Sequence, residues 1–271
     1  MKSLAVIITT YNRPDALSAV LRGYLAQKDR NFEMIVADDG STSETAQLIA
    51  DIQANADFNI IHIWQKDQGF RAAAIRNKAL ARTAADYIIF SDGDCVPLPH
   101  FVAGHRRLAE AGWFLAGNRI LLREALTRSV LADRTHVWTW TTLQWLAAAM
   151  TKRINRFIPL LPLPVASPLR KIPAKRWEGV MTCNLSAWRS DLVKINGFDE
   201  SYSGWGLEDS DLVIRLLHAG VCHKSARFAA PVLHLWHGEN DRGGLVENRR
   251  RLEDLLHSER TTVDYGVAQY L

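Results

Sequence analysis

The chain has 271 residues, 48% of them hydrophobic and 23% charged, with a formal net charge of +4. That balance excludes a disordered chain, and the length suits one large α/β domain or two intimate halves. The modest positive excess favours anionic partners without choosing among nucleotides, phosphorylated glycans and acidic lipid surfaces. Cys95, Cys183 and Cys222 have no C-x-x-C spacing, which argues against a disulfide framework or a zinc ribbon and fits a reducing compartment.

The opening run, 4–9, is β-rich and too short for the apolar core of a signal peptide, so it reads as a buried first strand. Asn12 and Pro14 start a helix. Leu17, Val20, Leu21, Tyr24 and Leu25 follow at helical spacing. A second apolar run, 32–37, stops at Asp38-Asp39-Gly40-Ser41, and the next helix carries Leu48, Ile49 and Ile52 on one face. Residues 60–64 read as a third strand, 71–82 as an Ala-rich helix, and 87–90 as a fourth strand ending in Ser91-Asp92-Gly93-Asp94. Strands alternating with helices predict an α/β fold with a mostly parallel sheet and helices on both faces. Ligands of such sheets bind beyond the carboxyl ends of the strands, where Thr10, Tyr11, Asn12, Asp38, Asp39, Asp92 and Asp94 gather.

No acidic residue lies between Asp133 and Glu178. That stretch carries Trp138, Trp140 and Trp145, then Lys152, Arg153 and Arg156, a Pro-rich run, and Arg170, Lys171, Lys175 and Arg176. Two readings stand. One is an interfacial segment in peripheral contact with an anionic membrane. The other is a helical insertion packed on the domain with its basic residues solvated. No run reaches the roughly 20 apolar residues needed to span a bilayer. From Asn240 onward the tail is polar, then helical, with Leu252, Leu255 and Leu256 as a docking face.

Three constellations carry chemistry. Asp92 and Asp94 flank Gly93 at a strand end, where hard oxygen ligands hold magnesium or manganese and a ribose. Alone, this spacing is also that of an Asx-turn. Asp38-Asp39 offers a carboxylate to a base N–H, or is a bare turn; Arg71 and Arg76 follow on the next helix, with guanidinium forks that match phosphate. Gly204-Trp205-Gly206 forms a turn exposing an aromatic plane as a sugar platform. Glu208, Asp209 and Asp211 then open a helix closed by Gly220. Acids in a first turn also complement the helix dipole, but a carboxylate beside a sugar platform can take a proton from a hydroxyl. His234 and His237 are either a structural pair or the completion of a metal site with Asp94. Phosphate-loop, dinucleotide, zincin and α/β-hydrolase signatures are absent.

Residues 6–13 (VIITTYNR), 36–41 (VADDGS), 74–80 (AIRNKAL) and 90–94 (FSDGD) resemble, in order and spacing, the nucleotide-binding half of family 2 glycosyltransferases. Residues 196–211 (NGFDESYSGWGLEDSD) resemble the acceptor half of bacterial chondroitin-type polymerases and animal β-1,4-galactosyltransferases. The resemblance covers about 1–120 and 178–240, which divides the chain into a nucleotide-sugar half (1–120), the insertion (121–177), an acceptor and catalytic half (178–240) and a helical tail (241–271). It implies a GT-A fold, an inverting mechanism, a uridine diphosphate-sugar donor, Mn2+ or Mg2+, and a glycan or glycolipid acceptor rather than nucleic acid. By position, Thr10, Tyr11, Arg13 and Asp39 would contact the nucleoside side. Arg71 and Arg76 would lie beside the phosphates. Asp92 and Gly93 would meet the ribose, and Asp94 the metal, with His234 or His237 as the remaining ligand. Trp205 between Gly204 and Gly206 would face the sugars, Asp209 would be the base, and Glu208 would orient the acceptor. The insertion has no counterpart in the shared pattern. A cytoplasmic enzyme of bacterial surface-polysaccharide or lipopolysaccharide synthesis fits this picture. A non-catalytic sugar-nucleotide binder would need no base beside Glu208. A nucleotidyltransferase would want a Gly-rich basic loop where Thr9-Thr10-Tyr11-Asn12-Arg13-Pro14 stands.

Overall fold

β1 (Leu4–Thr10) is an inner strand of a seven-stranded sheet in a computed structural model that describes residues 3–238 and 243–271. Residues 4–8 are buried on both faces, as an unbroken apolar run requires. Val6 and Ile8 enter one core layer, Ala5 and Ile7 the other. α1 (Pro14–Leu25) starts on its proline and buries Leu17, Val20, Leu21 and Tyr24. β2 (Glu33–Asp38), α2 (Ser43–Gln53), β3 (Ile60–Trp64), α3 (Ala72–Arg82) and β4 (Tyr87–Asp92) complete the alternation.

After β4 the chain makes β5 (Cys95–Pro97), α4 (Phe101–Leu108), β6 (Trp113–Ala116) and β7 (Arg119–Leu121). The insertion holds α5 (Glu124–Leu131), α6 (Thr142–Met150) and α7 (Ser167–Arg170). β8 (Asn184–Trp188), α8 (Arg189–Lys194), α9 (Glu208–His218), β9 (Cys222–Ser225), β10 (Val232–His234) and α10 (Leu245–Leu256) follow. The main sheet runs β3-β2-β1-β4-β8-β6-β9, and a small sheet runs β5-β10-β7. Only β8 is antiparallel to its neighbours, so the sheet is mostly parallel as expected.

Register decides where the rim residues stand. Thr10 pairs with Asp38, Asp38 with Trp64, and Thr9 with Asp92. Strands lie about 4.8 Å apart, so the ends of β2 and β4, on either side of β1, are roughly 10 Å from each other. The crevice between them is the switch point of the sheet.

The insertion corrects the interfacial expectation for its indoles. Trp145 is buried with Leu126, Val130, Val137 and Ala148, while Trp138 and Trp140 pack against the same cluster. The reason is that α5 and α6 pack into the main core layer, which includes Val6, Ile8, Leu21 and Met34. Part of the basic character is structural too. Arg170 is buried and donates to the carbonyls of Val165, Ser225 and Arg227. Lys171 pairs with Glu110, 2.5 Å away. What remains outward on α6 is an apolar stripe, Leu143, Leu146 and Met150. Among the described residues no helix is long and apolar enough to cross a membrane. In the tail, Leu252 and Leu255 dock beside Ile214 of α9, whereas Leu256 faces outward. Asn240, where that tail was expected to begin, lies outside the described residues.

Candidate active site

The turn after β2 separates two adjacent aspartates by role. Asp38 is fully buried, meets His62 Nε2 at 3.0 Å, and accepts the Ser41 N–H at 2.8 Å, so it fixes the turn. Asp39 lines a cleft and accepts from Gln65 Nε2 (2.5 Å) and from the Arg71 N–H (2.7 Å). Gly40 has φ +101°, and a Cβ there would lie 2.6 Å from the Asp67 backbone, so only glycine lets the turn close. The Tyr11 hydroxyl donates to Asp67 at 2.9 Å, and Arg13 meets Asp15 at 2.9 Å. The Thr10 hydroxyl is buried beside Gly93 with no hydrogen-bond partner among the described residues.

At the end of β4 the Gly93 N–H donates to the Thr9 carbonyl at 2.7 Å. A Cβ on Gly93 would sit 2.9 Å from the Thr10 hydroxyl, so this residue must be small. The tight turn carries the chain straight into β5, which pairs antiparallel with β10 so that Cys95 faces His234. That pairing, 139 positions apart in sequence (234 minus 95), assembles a cluster. His234 Nε2 lies 3.4 Å and His237 Nε2 3.3 Å from the Asp94 carboxylate. The two histidines, inseparable in the sequence, both flank Asp94.

One carboxylate oxygen and two imidazole nitrogens lie within 4.8 Å of one another, a donor set that fits a divalent cation. Burial pushes the His234 imidazole down to about 4, so its lone pair is free at neutral pH. His237 Nδ1 is 2.5 Å from the Gly238 carbonyl, which orients Nε2 toward Asp94. Burial works against ionised Asp94, but the hydrogen bond to His237 and the two imidazoles outweigh it and hold its pKa low. Mixed nitrogen and oxygen donors suit manganese better than magnesium, which prefers an all-oxygen shell.

The acids at the start of α9 also divide. Leu207 adopts φ +77°, a left-handed turn that aims the helix N-terminus at the rim. Asp211 is buried in an ion pair with Arg215 at 2.6 Å and serves the helix itself. Glu208 pairs with Arg76 Nη1 at 3.0 Å, leaving its second oxygen buried with no hydrogen-bond partner among the described residues. Asp209 lines the cleft, accepts only the Ser210 N–H at 2.8 Å, and has no ion pair among the described residues. Burial, then the neighbouring Glu208 charge, raise its pKa to about 7.

Arg76 joins the two halves. It is 4% exposed, donates to the Thr9 hydroxyl (2.9 Å) and Glu208 (3.0 Å), and reaches Asp92 at 3.2 Å. The rim after β4 and the acidic start of α9 therefore face one another across one cleft. The next residue, Asn77, holds the chain leading to α9. Its side chain donates to the Phe198 carbonyl and Glu200, both at 2.8 Å, and accepts the Phe198 N–H at 2.8 Å.

The cleft encloses about 450 Å³ and is lined by Thr10, Tyr11, Arg13, Asp39, Arg76, Asp92, Gly93, Asp94, Trp205, Gly206, Glu208, Asp209 and His237, among others. Gly204 and His234 are not among the lining residues. The Arg71 guanidinium donates to the Lys66 carbonyl at 2.6 Å, and Arg71 is not among the residues that line the cleft. Trp205 is half-buried against the cleft rather than exposed. Sequence reasoning missed Gln65, Asn77, Arg119 and the approach of Cys95 and Cys183, whose sulfurs lie within 4.8 Å of each other and of an Asp92 oxygen. Only Asn77 left a trace, as the neighbour of Arg76 in a quoted motif.

A model of glycosyl transferase family 2 matches residues 5–159, more than half of the chain. The chain belongs to glycosyl transferase family 2. A second model, described as the N-terminal domain of galactosyltransferase, matches residues 169–237 of this family 2 chain. A hyaluronan synthase of Pasteurella multocida is 29% identical over 82% of the chain and 23% of its own length. A chondroitin synthase of Escherichia coli is 24% identical over 83% and 34%, respectively. A validoxylamine A glucosyltransferase of Streptomyces hygroscopicus subsp. limoneus is 27% identical over 80% and 48%. The chain thus spans less than half the length of these relatives. Among solved structures, S. aureus TarS superposes with a TM-score of 0.61 at 14% identity, covering 100% of this chain and 41% of that one. The mannosyltransferase PcManGT of Pyrobaculum calidifontis, in complex with GDP-Man and Mn2+, gives 0.58 at 17% identity, covering 92% and 60%. The fold of this family 2 chain is GT-A.

Proposed function

We propose that this chain is the catalytic unit of an inverting glycosyltransferase that moves a sugar from a uridine diphosphate donor to a glycan hydroxyl. The observation that carries the reading is the Arg76 bridge, which puts Asp92 and Asp94 in one cleft with Glu208 and Asp209. Its enzymatic relatives, named as synthases and a glucosyltransferase, support the same class.

Thr10, Tyr11, Arg13 and Asp39 hold the nucleoside end, with an Asp39 oxygen accepting the uracil N–H. Asp92 takes the ribose, and Gly93 lets it approach. Asp94, His234 and His237 would hold Mn2+, which supplies charge to the diphosphate as it leaves. Arg71, off the cleft lining, is not assigned to the phosphates. Trp205 packs against the sugars, and the unpartnered Glu208 oxygen orients the acceptor. The acceptor oxygen attacks the anomeric carbon from the face opposite the diphosphate. The bond from that carbon to the diphosphate oxygen breaks, and the hydroxyl proton passes to Asp209. A base whose pKa sits near the working pH is suited to that transfer.

Polymer-synthase relatives support an acceptor in surface-polysaccharide synthesis. Peripheral contact with an anionic membrane is assigned to the α6 face of Leu143, Leu146 and Met150 next to Lys152. Flotation with anionic vesicles checks it, and a protein left in the soluble fraction would remove it. For the reaction, UDP-sugars are screened with Mn2+ and the products separated. Release of UDP is expected; release of pyrophosphate would mean nucleotidyl transfer, and no turnover with any acceptor would favour a binder.

A further inference from the structure

Next to the cleft lies a second cavity of about 700 Å³. The two share one wall, formed by Arg119, Gly179, Val180, Met181 and Cys183. Their chemistry is opposite. The second cavity is lined by Arg119, Arg156, Arg176 and Arg227 and by no aspartate or glutamate. Arg119 and Arg156 form no ion pair among the described residues. Arg176 Nε donates to the Glu178 carbonyl at 3.0 Å, and Arg227 lies over the Phe228 ring at 4.7 Å. Four arginines in one lining, with no acid among the lining residues, focus a positive potential there. The buried side-chain oxygen of Asn118, also in this lining, has no hydrogen-bond partner among the described residues. A sugar hydroxyl would satisfy it.

We propose that this cavity is the acceptor subsite and that the acceptor is a phosphoryl-bearing glycan. The proposal rests on the transferase reading and names its acceptor class. A carboxylate has two oxygens, too few for four forks. A phosphoryl group presents more oxygens and up to two charges, which matches the arginine count. Arg119, at the junction on β7, would meet the phosphoryl group where the cavity opens toward the cleft. The sugar then extends along the wall of residues 179–183 and brings its hydroxyl to Asp209.

The test uses Arg156→Gln and Arg227→Gln, singly and together; neither residue lines the cleft. Inorganic phosphate is titrated calorimetrically with a chelator present, so that a metal-bound donor site does not contribute. Saturable binding is expected in the wild type, weakened at least about tenfold in the double variant. UDP binding with Mn2+ should be unchanged in both. Equal phosphate binding by wild type and double variant, or none by either, overturns the subsite. Loss of UDP binding in the wild type would instead defeat the underlying transferase reading. Transfer is then compared on one oligosaccharide in neutral, phosphomonoester and lipid-phosphodiester forms. A lower KM for either phosphorylated form, abolished in the double variant, supports the proposal and tells a sugar phosphate from a lipid headgroup. Equal KM for all three forms contradicts it.

Discussion

Two adjoining cavities share a wall and differ in almost everything else. The cleft brings Asp39, Asp92, Asp94, Glu208 and Asp209 together; the cavity beside it holds four arginines and no acid. In the cleft, burial sets the charge states. Asp92 and Asp209 are both raised by desolvation, and Arg76 stands between Asp92 and Glu208. In the neighbour, no acidic residue stands in the lining to offset the four arginines. Under the proposed reaction this is a division of labour: the acids would handle a cation and a proton, and the arginines would anchor an anion.

The largest expected effect lies in the cleft. Asp209→Asn should lower kcat by about 10²–10⁴-fold while UDP affinity with Mn2+ stays near wild type. A variant with full turnover would take the base role away from Asp209. Next is the bridge. Arg76→Met leaves Glu208 buried without its cation and should cost about 3–5 kcal/mol in urea unfolding. Adding Glu208→Gln should recover part of that loss, and no recovery would separate the two residues energetically.

The third prediction concerns pH. Asp209 is the base only when ionised, so kcat/KM should fall about tenfold per unit below pH 7. For stability the sign is the reverse. A carboxyl with its folded pKa raised from about 3.9 to about 7 binds more protons folded than unfolded, so it destabilises the fold increasingly as pH rises across that window. Asp209→Asn should therefore be more stable than wild type at pH 8, by roughly 1–3 kcal/mol, with the gain vanishing near pH 4. Urea midpoints at the two pH values check it. The smallest effect belongs to the arginine cavity. Arg156→Gln should change stability by no more than about 0.5 kcal/mol, because the side chain is exposed and unpaired; a larger loss would mean it supports the fold.

Much of the cleft was legible because its residues sit at strand ends and a helix start, where local patterns speak. The apolar run before Asp92 and the Gly-Trp-Gly before Glu208 mark such places. The sheet's parallel core followed from the same alternation. What was not legible depends on register and distant packing. Nothing local says that β10 pairs with β5, so the sequence could not choose between His234 and His237. Nor could it show that the Arg71 guanidinium would turn to the Lys66 carbonyl. The sequence left the indoles of the insertion open between an interfacial and a packed reading, because tryptophan beside basic residues fits both. In the fold, Trp145 fills the core between α5 and α6. The arginine cavity draws on residues 119, 156, 176 and 227, which share no motif.

The most direct measurement pairs UDP binding with turnover in Asp94→Ala and Asp209→Asn. If both acids serve one reaction across one cleft, Asp94→Ala loses Mn2+-dependent UDP binding and transfer together. Asp209→Asn keeps the binding and loses the transfer. Normal transfer by either variant would contradict the account.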